Sequence, residues 1–362
     1  MSIRVKEIVD LINQYAPNEL SFQWDNTGLL IGELSNQVRR VLVTLDVTEK
    51  IIDYAIENNF DMIVSHHPFI FKPIKKINDP NIIKLIKHSV SVFAAHTNLD
   101  LVKKGVNFAL AKKLNLKNLN FINQNTDIDF FHISVFIPID YVEAVKKAVF
   151  NNGGGVFGDY QHCSSEHSVD AQFMPHDHAK PFFGSLNNIE KAKEIKLEFF
   201  ADSIKLKNII NAIHNCHPYE TPTYTINKLQ QNSPNYGLGL FGDLENKMTL
   251  RELSEFTKEK LNAPFVKLWT AGKNENTIVS KIAICGGSGS SLLPFVSNAD
   301  CFISGDFTYH QILDSKTPLI DAGHYYTEAP ILEELMEMLS FLPIHLEKIQ
   351  SDNHDIQKLK LI

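Results

Sequence analysis

Residues 39–68, RRVLVTLDVTEKIIDYAIENNFDMIVSHHP, decide the architecture. RRVLVTLDV (39–47) is a β-branched apolar run that reads as a strand, and TEKIIDYAIENN (48–59) reads as a helix. DMIVSHHP (61–68) is a second apolar strand that ends in two histidines. Strands that are apolar throughout and separated by helices predict a parallel sheet covered on both faces. The alternation continues through the helix NIIKLIKHS (81–89), the strand VSVFAAHTNLD (90–100) and the helix KKGVNFALAKKLNL (103–116).

Near residue 126 the texture changes. FHISVFIPI (131–139) reads as a strand and DYVEAVKKAVFNN (140–152) as a helix that stops at Gly153-Gly154-Gly155. A Cys- and His-bearing stretch follows, then a strand at 192–202, a helix at 203–215 and the extended HPYETPTYTINKL (217–229). That order is β-α-β-β-α-β in outline, the ferredoxin-like pattern. QQNSPNYG (230–237) reads as a linker out of it. Residues 238–362 return to the first texture, with helices at 249–262 and 328–341 and strands at 280–287, 299–306 and 317–324. The expectation is an α/β core with a mainly parallel sheet, built from two halves (1–125 and 238–362) and interrupted by an inserted α+β domain at 126–237.

A chain of 362 residues exceeds one typical core, which agrees with two domains. Lys and Arg total 35 against 42 Asp and Glu, a formal charge of −7, so the broad basic footprint of a duplex-binding protein is missing. A basic pocket for a single nucleotide stays open. No apolar run reaches the length of a membrane span, and the amphipathic start MSIRVKEIVDLINQYAP does not read as a secretory signal. Cys163, Cys216, Cys285 and Cys301 are widely spaced with no CxxC pair, as expected of reduced thiols in a cytoplasmic protein.

In open α/β sheets ligands bind beyond the carboxyl ends of the strands. Four predicted strands end there in polar, metal-competent residues: His66-His67, His96 through Asp100, Asp306 with His310, and His324 with Glu328. The spacing His96/Asp100 repeats in His324/Glu328, a weak internal echo. Mixed imidazole and carboxylate donors suit Zn, Mn, Fe or Co rather than Ca or Mg alone. A carboxylate can bridge two such ions about 3.5–4 Å apart, the arrangement of binuclear hydrolases. The competing reading of each lone histidine is a satisfied polar residue that caps a turn. Asp25 and Asp46 sit where Asp often caps backbone N–H groups. CGGSGSS (285–291) fits a phosphate cradle or a tight strand-to-helix turn. His162, Cys163, His167, His176 and His178 lack close ligand spacing and read as a surface loop. HPYETP (217–222) reads as a rigid extended turn.

SFQWDNTGLLIG (21–32), IVSHHPFIFKPIK (63–75), AAHTNLD (94–100) with GVN (105–107), FISGDFTYHQILD (302–314) and IDAGHYYTE (320–328) resemble the GTP cyclohydrolase type 2 homologue family, also called the Nif-three-like family. VFIPIDYVEAVKKAV, GGGVFGDYQHCS, KPFFG and HPYETP resemble the extra domain of its longer bacterial members. PHDHAK (175–180) departs from their usual text. The resemblance implies two divalent ions per chain: one held by His66 and His324, the other by His67 and Asp100, with Glu328 bridging both. It implies that His96, Asp306 and His310 line the same pocket. It also implies a nucleotide-directed hydrolase that opens the purine ring of GTP, and a ring-shaped homohexamer. The alternative is a non-catalytic metal-binding, metal-handling or adaptor protein. A structural zinc site is usually closed and rich in cysteine. Five donors for two ions and no cysteine leave positions open, which favours the enzyme.

Overall fold

The computed structural model describes residues 2–124 and 128–349. The chain divides into two compact units, Met1–Asn123 with Gly237–Ile362, and Gln124–Tyr236. The boundary expected between residues 125 and 126 falls outside the described residues.

The first unit is mixed α/β and holds two larger sheets rather than one. In the five-stranded sheet the order is His345–Lys348, Arg40–Thr44, Met62–Ser65, Ser91–Ala94, Gly28–Ile31. The first three pairings are parallel and the last is antiparallel. Every residue of Met62–Ser65 and Ser91–Ala94 is buried, as their unbroken apolar text requires. Leu42, Ile63 and Val92 pack on Ile52 and Ala55 of the helix Glu49–Glu57 and on Ile82 and Leu85 of the helix Pro80–Lys87. Thr48 caps the first of these helices and Asp79 the second, each accepting backbone N–H bonds.

The six-stranded sheet runs Lys267–Trp269, Leu319–Asp321, Cys301–Gly305, Ile278–Ser288, Leu238–Thr249, Lys117–Asn123. Only the pairings that flank Cys301–Gly305 are parallel, and the other three are antiparallel. The expectation of one mainly parallel sheet therefore does not describe this half. The strands Lys117–Asn123 and Leu238–Thr249 mix polar residues or glycines into their apolar text and sit at or next to the sheet edge, so they lack the continuous apolar signature of the buried strands.

The second unit has one four-stranded antiparallel sheet, in the order Tyr224–Asn232, Asp129–Pro138, Glu190–Asp202, Ser164–Phe173. Helices Val142–Asn151 and Ser203–Cys216 pack on one face through Val145, Val149, Ile209 and Ile213 against Ile133, Val135, Leu197 and Phe199. Two local expectations change. His167 belongs to the edge strand Ser164–Phe173 rather than to a loop, with exposed residues hiding the strand from an apolar search. The linker expected from residue 230 begins inside the strand Tyr224–Asn232, which is mostly solvent-facing and hence polar.

Candidate metal centre

The parallel strands of both sheets in the first unit deliver their carboxyl ends to one place. Arg40–Thr44 leads to Asp46, Met62–Ser65 to His66 and His67, and Ser91–Ala94 to His96. From the other sheet, Cys301–Gly305 leads to Asp306 and Leu319–Asp321 to His324. Two short helices complete the set. His96 caps Thr97–Asp100, and His324 opens His324–Glu328, so each histidine lies one turn from its carboxylate.

His66 is fully buried. Its Nδ1 lies 2.8 Å from the Ala95 carbonyl, which only accepts, so Nδ1 carries the proton and Nε2 offers a lone pair. Burial holds its pKa below the ordinary value against the pull of Glu328. That lone pair points 3.6 Å toward Oε1 of Glu328 and 3.8 Å toward Oδ1 of Asp100.

His67 and His324 are oriented differently. Nδ1 of His67 lies 2.7 Å from Asp46 Oδ1, and Nδ1 of His324 lies 2.6 Å from Asp306 Oδ2. Their Nε2 atoms reach Glu328, His67 to Oε2 at 3.0 Å and His324 to Oε1 at 3.1 Å. Burial alone would lower both pKa values. The paired carboxylates outweigh it and raise His67 to about 10 and His324 to about 9. Glu328 is buried, which raises its pKa, yet the imidazoles of His66, His324 and His67 bring it well below the usual carboxylate range. Asp100 goes the other way: burial and then the Glu328 charge push it well above that range.

Among the described residues, eight buried side-chain polar atoms lack a hydrogen bond of good geometry, and three are His66 Nε2, Asp100 Oδ1 and Glu328 Oε2, the last faced by His67 Nε2 at 3.0 Å. Such atoms are costly to leave unmatched, and His66 Nε2 and Asp100 Oδ1 lie 3.8 Å apart beside Glu328, a set that could hold a cation. Their chemistry fits a divalent ion. Two sets of donor atoms lie within 4.8 Å of one another: His66, His67 and His96, and His67, His324 and Glu328.

His96 thus joins the cluster, 5.2 Å from the His66 ring and 5.5 Å from that of His67, with Nδ1 held 2.9 Å from Asp25 Oδ1. Burial opposes ionisation of Asp25, but bonds from His96 and Thr97 hold it at about 2. Asp25 and Asp46 therefore orient histidines. Asp306 joins through His324 and has a left-handed backbone, φ 60°, rare outside glycine. His310 sits exposed on the helix Tyr309–Asp314 with its ring against Tyr309, and among the described residues it makes no hydrogen bond, ion pair or ring contact with the cluster.

Gly286 and Gly287 lie in the strand Ile278–Ser288 beside Glu328. Their N–H groups donate to Asn107 Oδ1 and Thr327 Oγ1, which leaves neither for a phosphate. The glycines instead let the backbone approach the cluster. Gly287 lies in the glycine-rich run that sequence reading took for a phosphate cradle or a tight turn, and its place beside Glu328 was not foreseen.

An α/β protein with a histidine–carboxylate centre between two sheets is the class this geometry defines. The chain belongs to the Duf34/NIF3 (NGG1p interacting factor 3) family, whose pattern matches residues 3–355. It is 37% identical to a Staphylococcus epidermidis protein called GTP cyclohydrolase 1 type 2 homolog, over 97% of this chain and 99% of that one. A Staphylococcus aureus protein of the same name is 36% identical, over 97% and 96%. The fold is similar to that of the Bacillus cereus protein related to NIF3, with TM-score 0.84, 30% identity and 98% of each chain covered. A solved Staphylococcus aureus protein gives 0.72, 32% and 98% of each. The family resemblance carried by the motifs is thus borne out.

Proposed function

We propose that this protein binds two divalent ions per chain at His66, His67, Asp100, His324 and Glu328 and hydrolyses a nucleotide-like substrate there. One observation carries the two-ion reading. The oxygens of Glu328 face different imidazoles, Oε1 toward His324 and His66 and Oε2 toward His67. A carboxylate shared in that way suits a bridge. The ions, drawn from Zn, Fe, Mn or Co, would supply Lewis-acid polarisation and activation of water. The chain's own residues do the rest. Asp46, Asp306 and the Ala95 carbonyl fix the outward ring nitrogens, so three imidazoles aim inward without reorganisation. His96, held by Asp25, presents its remaining nitrogen to the same space and can orient a reacting group.

The substrate class rests on the name of the relatives, GTP cyclohydrolase 1 type 2 homolog. Formate release from GTP, with metal matched between wild type and Glu328→Gln, tests it. A wild-type rate that falls at least roughly a hundredfold supports the reading, on the scale of losing one preorganised electrostatic group. No product with Zn, Mn, Fe or Co sinks the GTP reading. Metal retention without turnover on any nucleotide would favour a metal-handling role.

The same reading takes 126–237 as an inserted ferredoxin-like domain, supported by the compact unit Gln124–Tyr236, its strand order and its two helices on one sheet face. It takes the assembly as a homohexamer, supported by exposed apolar residues of the core such as Tyr309, Leu313 and Phe341, and sedimentation tests this. A cytoplasmic location is supported by four free cysteines. Among the described residues no helix is long and apolar enough to cross a membrane.

A further inference from the structure

The second unit contains a cavity of about 500 Å³ far in sequence from every proposed metal ligand. It lies on the sheet face opposite the helices. Phe136, Val169 and Phe173 floor it, and Phe182 and Tyr219 wall it. The segment 174–189 closes one side and is pinned in place. Asn187 N–H bonds the Pro175 carbonyl at 2.6 Å, and Lys180 N–H donates to Glu220 at 2.9 Å. Phe173, Phe182 and Phe183 stand around Tyr219 with centroids 6.2–6.4 Å from its ring, so the phenol is held rigidly.

One group in this apolar setting is out of place. Glu194 is 6% exposed, yet it lines the cavity. One of its oxygens accepts the Tyr219 hydroxyl at 2.6 Å, while for the other no hydrogen bond or ion pair is recorded among the described residues. A carboxylate has about four acceptor sites, and with a single protein donor Glu194 keeps acceptor capacity toward the cavity it lines. The remaining charged lining residues, Asp170 and Glu220, are acidic too, and no Lys, Arg or His lines the space. Lys180, between the lining residues Ala179 and Pro181, is exposed and does not itself line the space. Lys196, on the same sheet face, pairs with Glu198 at 2.7 Å. His217 accepts Tyr219 N–H on Nδ1 and donates from Nε2 to the Phe136 carbonyl, so it is neutral.

We infer that this cavity binds a small organic cation, an ammonium on an apolar or aromatic body. The ammonium lies against Glu194 and its body against Phe173 and Phe182. Charge, ring faces and volume agree: the ammonium pairs with the acceptor sites Glu194 has left, aromatic faces attract cations, and the cavity has the size of metabolite sites.

Calorimetric titration of the full chain with three probes of one shape tests this: 2-phenylethylammonium, 2-phenylethanol and 3-phenylpropanoate. The ammonium is expected to bind at least roughly tenfold tighter than the alcohol, on the scale of a charge-assisted hydrogen bond, with no binding of the carboxylate. Glu194→Gln should abolish that preference. Phe182→Ala replaces a half-exposed ring, so the fold is kept even if the first variant unfolds. It should weaken the ammonium by a few fold, and unchanged binding overturns the inference. Equal binding of all three probes reduces the cavity to an apolar cleft and also overturns it. So does no binding together with a changed assembly state in Glu194→Gln, which would give the carboxylate to a basic side chain of a second copy.

Discussion

Gly287 and Glu328 are in such close approach that a Cβ on Gly287 would overlap Oε1 of Glu328, and it would also stand 3.1 Å from Nε2 of His324. Gly287 has φ 63°, so a side chain there is opposed twice, by the backbone and by the carboxylate. Glu328 is confined by the imidazoles of His67 and His324, at 3.0 and 3.1 Å from its oxygens. Gly287→Ala is expected to lose about 1–2 kcal/mol from the left-handed backbone alone and to lose bound metal as well. Gly272→Ala is the control: φ is 79° but nothing lies within 4 Å. It should pay the backbone cost and keep its metal. Denaturant melts and elemental analysis of both variants decide the point.

Asp46→Asn keeps the shape of the group behind His67 but removes its charge. The imidazole keeps a neutral acceptor but loses the anionic partner that orients it at 2.7 Å. Apparent metal affinity should fall roughly 10–100-fold, the usual cost of losing such a partner, with the fold unchanged. Competition with a chelator measures it, and an unaltered affinity would remove Asp46 from the site.

Protons and metal ions compete for His67 and His324. In the metal-free chain burial lowers their pKa values, but the carboxylates raise them to about 10 and about 9, against an ordinary 6.5. Groups raised on folding stabilise fully below their unfolded pKa and lose that contribution as pH rises through the folded value. Metal-free protein should therefore lose thermal stability between about pH 6.5 and 10. Bound divalent ions need unprotonated imidazoles, so the stabilisation by metal should grow over the same range. Melting curves with and without Zn across that window check both slopes.

Asn123 and Leu238 are cross-strand partners in an antiparallel pair, so the chain leaves the first unit and re-enters it at adjacent points. Deleting 124–237 and inserting Asn-Gly leaves a two-residue turn that suits such a pair. The shortened chain is expected to fold and to bind metal as the full chain does, since every proposed ligand lies outside the deletion. Circular dichroism with metal analysis tests it. A folded product without metal would refute the ligand set or the boundaries.

Much of the centre was legible because its parts sit at ends of apolar strands. His66-His67 closes a fully buried strand, and His324 and Glu328 are spaced by one helical turn. Asp25 and Asp46 were not separable from ordinary turn caps, since a carboxylate that orients an imidazole uses the same residue type at the same kind of position. Only the distances to His96 and His67 distinguish them. The edge strand Ser164–Phe173 was invisible for another reason. Its exposed residues have no need to be apolar.

Local text by itself determined which segments bury their side chains and which residues can donate to a cation, because hydropathy period and donor chemistry are properties of neighbours along the chain. It did not determine that the core splits into two sheets, that acceptor atoms of His66 and Asp100 meet beside Glu328, or that Gly287 is shaped around a carboxylate. Those depend on pairings between residues tens to hundreds of positions apart. Such pairings are settled by the packing of whole elements, and no short stretch of sequence carries them.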